Sequence, residues 1–219
     1  MMRRLSRGQV KRMTDVVLAI VAVTMFLPLW LLVGLLILLE DGSPVIFLQT
    51  RLGKDKHPIT VIKLRTMRAG KVTRIGKWLR STGLDESLQF LPVLAGTMSI
   101  VGPRPLTEAD IHRIGWGGEK HADRWKISPG ITGMAQLFSG RGARVSLYFD
   151  RYYLRRQSLI LDVSIICLSF MVTLVGKKRV QTMIRNNRRH TQAGLSGFIR
   201  SQLSRNSPGV VPSQDLNQR

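Results

Sequence analysis

From Val16 to Leu39 the chain carries no charged side chain, and apolar residues fill almost every position of the run "VVLAIVAVTMFLPLWLLVGLLILL". As a helix this stretch extends about 36 Å, enough to cross a hydrocarbon core of roughly 30 Å. No polar face appears in it, which argues against a buried core helix. It is too long for the apolar part of a secretory signal, and no small-residue cleavage site follows. A membrane segment is therefore predicted. Pro28, in its middle, removes a backbone donor and predicts a bend. Basic residues flank the run on both sides, Arg3, Arg4, Arg7, Lys11 and Arg12 before it and Arg51, Lys54, Lys56, Lys63 and Arg65 after it. The positive-inside rule places both ends in the cytoplasm. A helix-break-helix that enters and leaves one leaflet meets that demand, with a proline-containing spanning helix as the alternative.

Beyond Gly42 the pattern shortens. "PVIFLQTRLG" and "PITVIKLRTM" are β-branched runs bounded by Pro and Gly and predict two strands of a hairpin. "TRIGKWLRS" and "DESLQFLPVLAG" predict short helices, the second interrupted by Pro92. "SIVGPRPL" reads as a turn or extended segment, and "ISPGITGMAQLFSGRGAR" as glycine-rich loop. The stretch 146–176 reads as helical, and its run Ile160–Val175 is short for a span and holds Asp162. A carboxylate costs about 2.5 to 3.5 kcal/mol at a bilayer centre, so this helix is expected at the interface or in the core, with Asp162 facing polar surroundings. The expected organisation is a basic N-terminus and membrane helix over 1–41, a globular domain over 42–176, and a basic, polar tail over 177–219, disordered or lying on anionic lipid. The fold class expected is mixed α/β, mainly helical, small and membrane-associated, with interfacial helices.

Charge narrows the function. The net charge is +21 over 219 residues, which implies an anionic partner such as nucleic acid, anionic lipid or a phosphorylated small molecule. Aromatic residues make up only 6% of the chain and do not interleave with the basic clusters, which points away from nucleic acid. A single cysteine, Cys167, excludes an intrachain disulfide and a cysteine-based zinc site, and the four histidines show no ligand spacing.

Against this background "STGLDESLQF" stands out, because Asp85 and Glu86 are adjacent carboxylates in a strongly basic chain. One reading is a helix N-terminal cap, with Thr82-x-x-Asp85 as a capping box ahead of Leu84, Leu88 and Leu91. The other is chemical. Adjacent carboxylates repel unless a cation compensates, and a divalent metal is the natural compensator; an all-oxygen pair favours Mg²⁺ over zinc. A carboxylate can also attack phosphorus, while Arg and Lys spread charge over phosphate oxygens. Lys63, Arg65, Arg80, Arg104 and Arg141 are the candidates for phosphate binding.

The motifs "KLRTM", "IGKWLRSTGLDESLQF", "MSIVGPRPL", "SPGITGMAQ" and "DRYYLRRQSLILDVSII", following a proline-broken apolar N-terminus, together resemble the bacterial monotopic sugar transferases, the small polyprenyl-phosphate phosphoglycosyl transferases. The resemblance covers roughly 11–177. It implies that Asp85 attacks the β-phosphate of a UDP-sugar and releases UMP, that Glu86 holds Mg²⁺, and that undecaprenyl phosphate collects the sugar-phosphate. It further implies that Lys63, Arg80, Arg104, Arg141 and Asp162 bind phosphates, order the site or assist the metal, and that Pro28 marks the break of a re-entrant helix. The implied setting is the cytoplasmic face of a bacterial inner membrane, at the start of surface glycan assembly. The family usually has Leu-Pro-Gln where this chain has Ser87-Leu88-Gln89, Asp-Met-Ser where it has Thr97-Met98-Ser99, and Ser before the proline where it has Leu27. The rival readings are an inactive homologue and a basic, membrane-anchored binding protein. The donor sugar, the glycan and the oligomeric state are not encoded in any pattern recognised here.

Overall fold

The computed structural model describes residues 6–138 and 142–175. Arg141 and the tail 177–219 fall outside them. The first element, α1, runs from Arg7 to Asp41. It opens on a capping box: the Ser6 hydroxyl accepts from the Gln9 N–H while the Gln9 side chain accepts from the Ser6 N–H. It ends at Gly42, whose φ of 71° lies in the left-handed region that glycine tolerates. The helix is continuous through Pro28, so the expected break is not an interruption of helical structure. A proline deletes one backbone bond and bends a helix, but its neighbours' bonds hold the rest together.

One stripe of α1 packs on the domain along nearly its whole length. Asp15, Ala19, Trp30, Val33 and Ile37 are buried, while Met25, Leu31 and Leu39 on the other side are about 70% exposed. The first turns are tied down by charge. Lys11 donates to Asp162 at 2.8 Å and lies 3.9 Å from Asp15. Asp15 accepts from the Ser99 hydroxyl at 2.7 Å and from the Ile100 N–H at 3.2 Å. Arg12 donates to the carbonyls of Val93 and Leu94, where a cation complements the negative end of a helix. At the far end, Glu40 accepts from the N–H groups of Arg74 and Ile75.

Strands β1 (Ile46–Leu52) and β2 (Pro58–Leu64) form the expected antiparallel hairpin, with Phe47 opposite Lys63 and Arg51 opposite Ile59. A minimal pair, β3 (Met67–Arg68) and β4 (Lys71–Val72), leads into α2 (Arg74–Thr82). Next come a 3₁₀ segment, Leu84–Gln89, and α3 (Phe90–Ala95). Pro92 does not interrupt α3 because it occupies the first turn, where its missing N–H has no intrahelical partner anyway.

The segments read as turn and loop hold more structure than expected. Strand β5 (Ser99–Val101) pairs in parallel with β6 (Gly130–Thr132). Helix α4 (Glu108–Ile114) and a further 3₁₀ segment, Glu119–Lys126, lie between them, and α5 (Met134–Leu137) follows. Glycine permits this close stacking of backbone on backbone. A methyl group on Gly130 would sit 2.1 Å from the Gly102 nitrogen, and one on Gly102 would sit 2.5 Å from the Ser128 carbonyl. The single long helix predicted near the C-terminus is two, α6 (Ala143–Arg156) and α7 (Leu159–Val175), separated at Gln157–Ser158. The main core gathers Val61, Val93, Met98, Val101, Tyr153 and Ile165 between the hairpin, α3, β5 and the last two helices. A second cluster joins Trp30, Val33 and Ile37 of α1 to Leu64, Leu79 and Leu88.

Replacing Lys11 with Met strands Asp15 and Asp162 beneath α1 without their shared cation, and should destabilise the protein by about 3 to 5 kcal/mol. Arg113→Met, which removes a surface pair to Asp110, should cost less than about 1 kcal/mol. Thermal unfolding in detergent measures both; equal shifts would contradict the structural role given to Lys11.

Candidate active site

The acid pair is not a helix cap. Thr82 is the last residue of α2, and its hydroxyl donates back to the carbonyls of Trp78 and Leu79. Gly83, with φ 73° and ψ 8°, ends α2 and turns the chain into the 3₁₀ segment. Asp85 and Glu86 lie in the first turn of that segment, with Ser87, Leu88 and Gln89 buried behind them. The spacing that resembles a capping box is used instead to stop one helix and start another with the carboxylates facing outward.

β2 packs on the 3₁₀ segment and brings Lys63 to the pair. Its ammonium donates to Glu86 Oε1 at 2.5 Å. The two carboxylates are thereby driven apart in acidity. Burial pushes Asp85 above the ordinary carboxylate range and the neighbouring Glu86 charge adds to this, with Lys63 and Arg80 pulling the other way. Burial would raise Glu86 too, but Lys63, through charge and hydrogen bond, then Arg104 and Arg51, outweigh it and hold Glu86 below its usual value. Two carboxylates with opposite shifts are suited to different tasks. Asp85 is the more basic and hence the better attacking group once ionised, while Glu86 stays anionic.

Arg80 donates to the Thr66 hydroxyl at 2.8 Å, which aims the end of α2 back at the β2 exit. Arg104 is exposed between Pro103 and Pro105 and lines a cleft of about 440 Å³ together with Arg113, Trp116, Arg124, Ser146 and Asp150. Its loop is held by Arg124, which donates to the Arg104 carbonyl at 2.5 Å and to Asp150 at 2.8 Å. The Arg124 guanidinium lies over the rings of both Trp116 and Trp125, at 5.2 and 4.8 Å.

Two expected site residues are placed differently, and a third is not among the described residues. Arg65 turns away from the acid pair and donates to the Gly42 carbonyl, fastening the exit of α1. Asp162 is buried, with Lys11 on one oxygen and the Tyr153 hydroxyl, 2.7 Å away, on the other; no contact among the described residues joins it to Glu86. Arg141 lies outside the described residues.

Arg51 belongs to the site and was considered in the sequence only as a flanking charge. It donates to Gln49 and to the Pro105 carbonyl, and burial, then Arg104, lower its pKa. The alternation of β1 was the available signal: in this register Phe47, Gln49 and Arg51 share the face of Lys63.

Among the described residues no three His, Cys, Asp or Glu side chains converge on one point. An all-protein cage is thus absent from them, while the oxygens of Asp85 and Glu86 fit a Mg²⁺ ion completed by substrate phosphates. Asp162, already saturated by Lys11 and Tyr153, does not fit that role.

The chain has clear relatives. The family model described as bacterial sugar transferase matches residues 6–176. A UDP-glucose:undecaprenyl-phosphate glucose-1-phosphate transferase of Escherichia coli (strain K12) is 37% identical over 188 residues, which cover 76% of this chain and 40% of that protein. A UDP-N-acetylgalactosamine-undecaprenyl-phosphate N-acetylgalactosaminephosphotransferase of Aeromonas hydrophila is 34% identical, over 76% of this chain and 44% of its own. The exopolysaccharide production protein PSS of Rhizobium leguminosarum bv. phaseoli is 36% identical over 71% of this chain and 90% of its own. The chain therefore spans less than half of the first two relatives and most of the third. With a match over residues 6–176, this chain belongs to the bacterial sugar transferase family.

Proposed function

We propose that the protein transfers a sugar-1-phosphate from a UDP-sugar to undecaprenyl phosphate, as an early step in building a surface glycan or exopolysaccharide. The observation that carries this reading is the acid pair and its setting: Asp85 adjoins Glu86, Lys63 donates to Glu86 at 2.5 Å, and Arg80, Arg104 and Arg51 act on the pair through charge. The names of the Escherichia coli and Aeromonas hydrophila relatives point to the same substrates. Because those names differ in the sugar, the donor sugar of this chain stays unassigned.

In the first half-reaction an Asp85 oxygen attacks the β-phosphorus of the UDP-sugar. The bond from that phosphorus to the bridging oxygen breaks, UMP leaves with the electron pair, and the sugar-phosphate remains on Asp85 as an acyl phosphate. In the second, an oxygen of the lipid phosphate attacks the same phosphorus and returns Asp85 as carboxylate, giving undecaprenyl-diphosphate-sugar. Lys63 and Arg104 meet the charge on the phosphoryl oxygens, and Arg80 holds that of Asp85. Glu86, with Asp85, would hold Mg²⁺, which when bound neutralises phosphate charge. The cleft beside Arg104 accommodates the nucleotide.

The membrane arrangement in this reading is monotopic, with both ends of α1 on the cytoplasmic face of the inner membrane. A crossing needs about 20 residues clear of the globular domain. Ala19 buried in the main core, Phe26 stacked on Phe90 at 6.1 Å and Glu40 bonded to the start of α2 support a helix that lies against the domain instead of leaving it. The exposed leucines along its outer side are the surface left for lipid.

Asp85→Asn should lower lipid-dependent UMP release by about 10⁴-fold or more, the scale of losing a covalent nucleophile. Lys63→Met should lower it by about 10² to 10³-fold, the scale of losing one charge-stabilising donor. Retained phosphate or lipid binding without turnover by well-folded wild-type protein would instead favour a basic binding protein. For topology, cysteines placed at Arg7 and Lys54 in a Cys167→Ser background should react with an impermeant thiol reagent from the same face of sealed vesicles; labelling from opposite faces would establish a crossing helix.

A further inference from the structure

Trp30 stands on the buried stripe of α1, and its indole N–H donates to the Ser87 hydroxyl at 2.8 Å. Ser87 passes the interaction on by donating to the Leu84 carbonyl at 2.6 Å. Leu84 and Ser87 are the residues immediately before and after Asp85-Glu86, so this chain of hydrogen bonds from the membrane helix closes behind the acid pair. Both partners are buried, Trp30 at 9% exposure and Ser87 at 7%. A ring stack reinforces the contact: Trp30 on Phe26 at 6.3 Å and Phe26 on Phe90, the residue that follows the 3₁₀ segment.

The segment requires such support. A 3₁₀ helix has poor hydrogen-bond geometry and seldom persists beyond a few residues. Leu84–Gln89 has no side-chain cap of its own. Its apolar side chains Leu84 and Leu88 pack in the cluster that Trp30 and Val33 supply from α1. Leucines in an apolar cluster fix depth but only weakly fix rotation. The Trp30–Ser87 bond is directional, and it sets the rotation of the turn that aims the carboxylates.

We propose that Trp30 and Ser87 are a positioning pair through which seating of the membrane helix orients Asp85 and Glu86. The proposal rests on the assignment of that acid pair as the reacting centre. Neither residue is placed at the substrate; both act through the turn that carries the carboxylates. The consequence is an enzyme whose reacting geometry depends on α1 lying against the domain.

The test separates position from stability. Ser87→Ala leaves the indole N–H buried without an acceptor and should lower the melting temperature. Removing both polar partners, in Trp30→Phe with Ser87→Ala, avoids the unsatisfied donor and should bring the melting temperature back toward wild type. Full-length proteins in nanodiscs would be assayed for UMP release with a UDP-sugar panel and undecaprenyl phosphate, and for hydrogen exchange in the peptide covering residues 84–90. The expected result is a double variant with near-wild-type melting, faster exchange in that peptide, an unchanged KM for the donor, and kcat lowered about ten- to a hundredfold, the scale of a small misplacement of reacting groups. Activity that returns together with the melting temperature would overturn the proposal, because the pair would then serve stability alone. If folded wild-type protein releases no UMP with any donor, the functional assignment fails by itself. The exchange measurement then decides the pair: faster exchange in the double variant supports it, and unchanged exchange overturns it.

Discussion

The Lys11 ammonium, held between Asp15 and Asp162, is the contact on which the arrangement of the other elements depends. Buried carboxylates are costly unless a cation meets them; Lys11 and Asp15 lie one turn apart on α1, and Asp162 joins them only when the start of α1 lies across β5 and α7. Asp15 then completes its set with the Ser99 hydroxyl and the Ile100 N–H, and Tyr153 closes the remaining side of Asp162. Once the first turns are fixed in this way, the stripe from Ala19 to Ile37 falls on the domain. The hairpin that follows α1 then starts from a fixed point, and Lys63 reaches Glu86 from its second strand. The apolar helix is thus a wall of the domain that carries the acid pair, and it is also long and apolar enough to meet a membrane.

The large positive charge is partitioned between two environments. Lys63, largely buried, and Arg80 and Arg104, both exposed, act on the acid pair. The buried cation Arg124 is enclosed by Asp150 and two tryptophan rings and acts on backbone, holding the loop that presents Arg104. Arg12 and Arg65 likewise serve carbonyl groups at element ends. An arginine count therefore overstates the number that face a ligand, because the same planar donor set suits a carbonyl cluster as well as a phosphate.

Much of this was legible in the sequence. The apolar run, the hairpin, α2 and the outward acid pair follow from local pattern and from the motifs around Asp85. What was not legible depended on long-range partners. Thr82-x-x-Asp85 has the spacing of a cap, and only Gly83 in a left-handed conformation turns it into a helix stop. Arg65 and Arg51 look alike as basic residues near strand ends, but Arg51 lies within the hairpin on the Lys63 face, whereas Arg65 follows the end of β2 and donates to the Gly42 carbonyl. Asp162 reads as a ligand until Lys11, far away in sequence, is found on it. The β5–β6 pairing was hidden because three-residue parallel strands carry no periodicity of their own.

The meshed glycines of that pairing affect how the family's motifs should be read. At Gly102 and Gly130 the neighbouring backbone leaves no space for a methyl group, a requirement of packing independent of any reaction. A descendant that lost the chemistry but kept the fold would still be forced to keep both. Glycines in "GPRP" and "SPGITG" therefore report descent and architecture. They say nothing about turnover, which the proposed mechanism assigns to the acid pair and the cations acting on it.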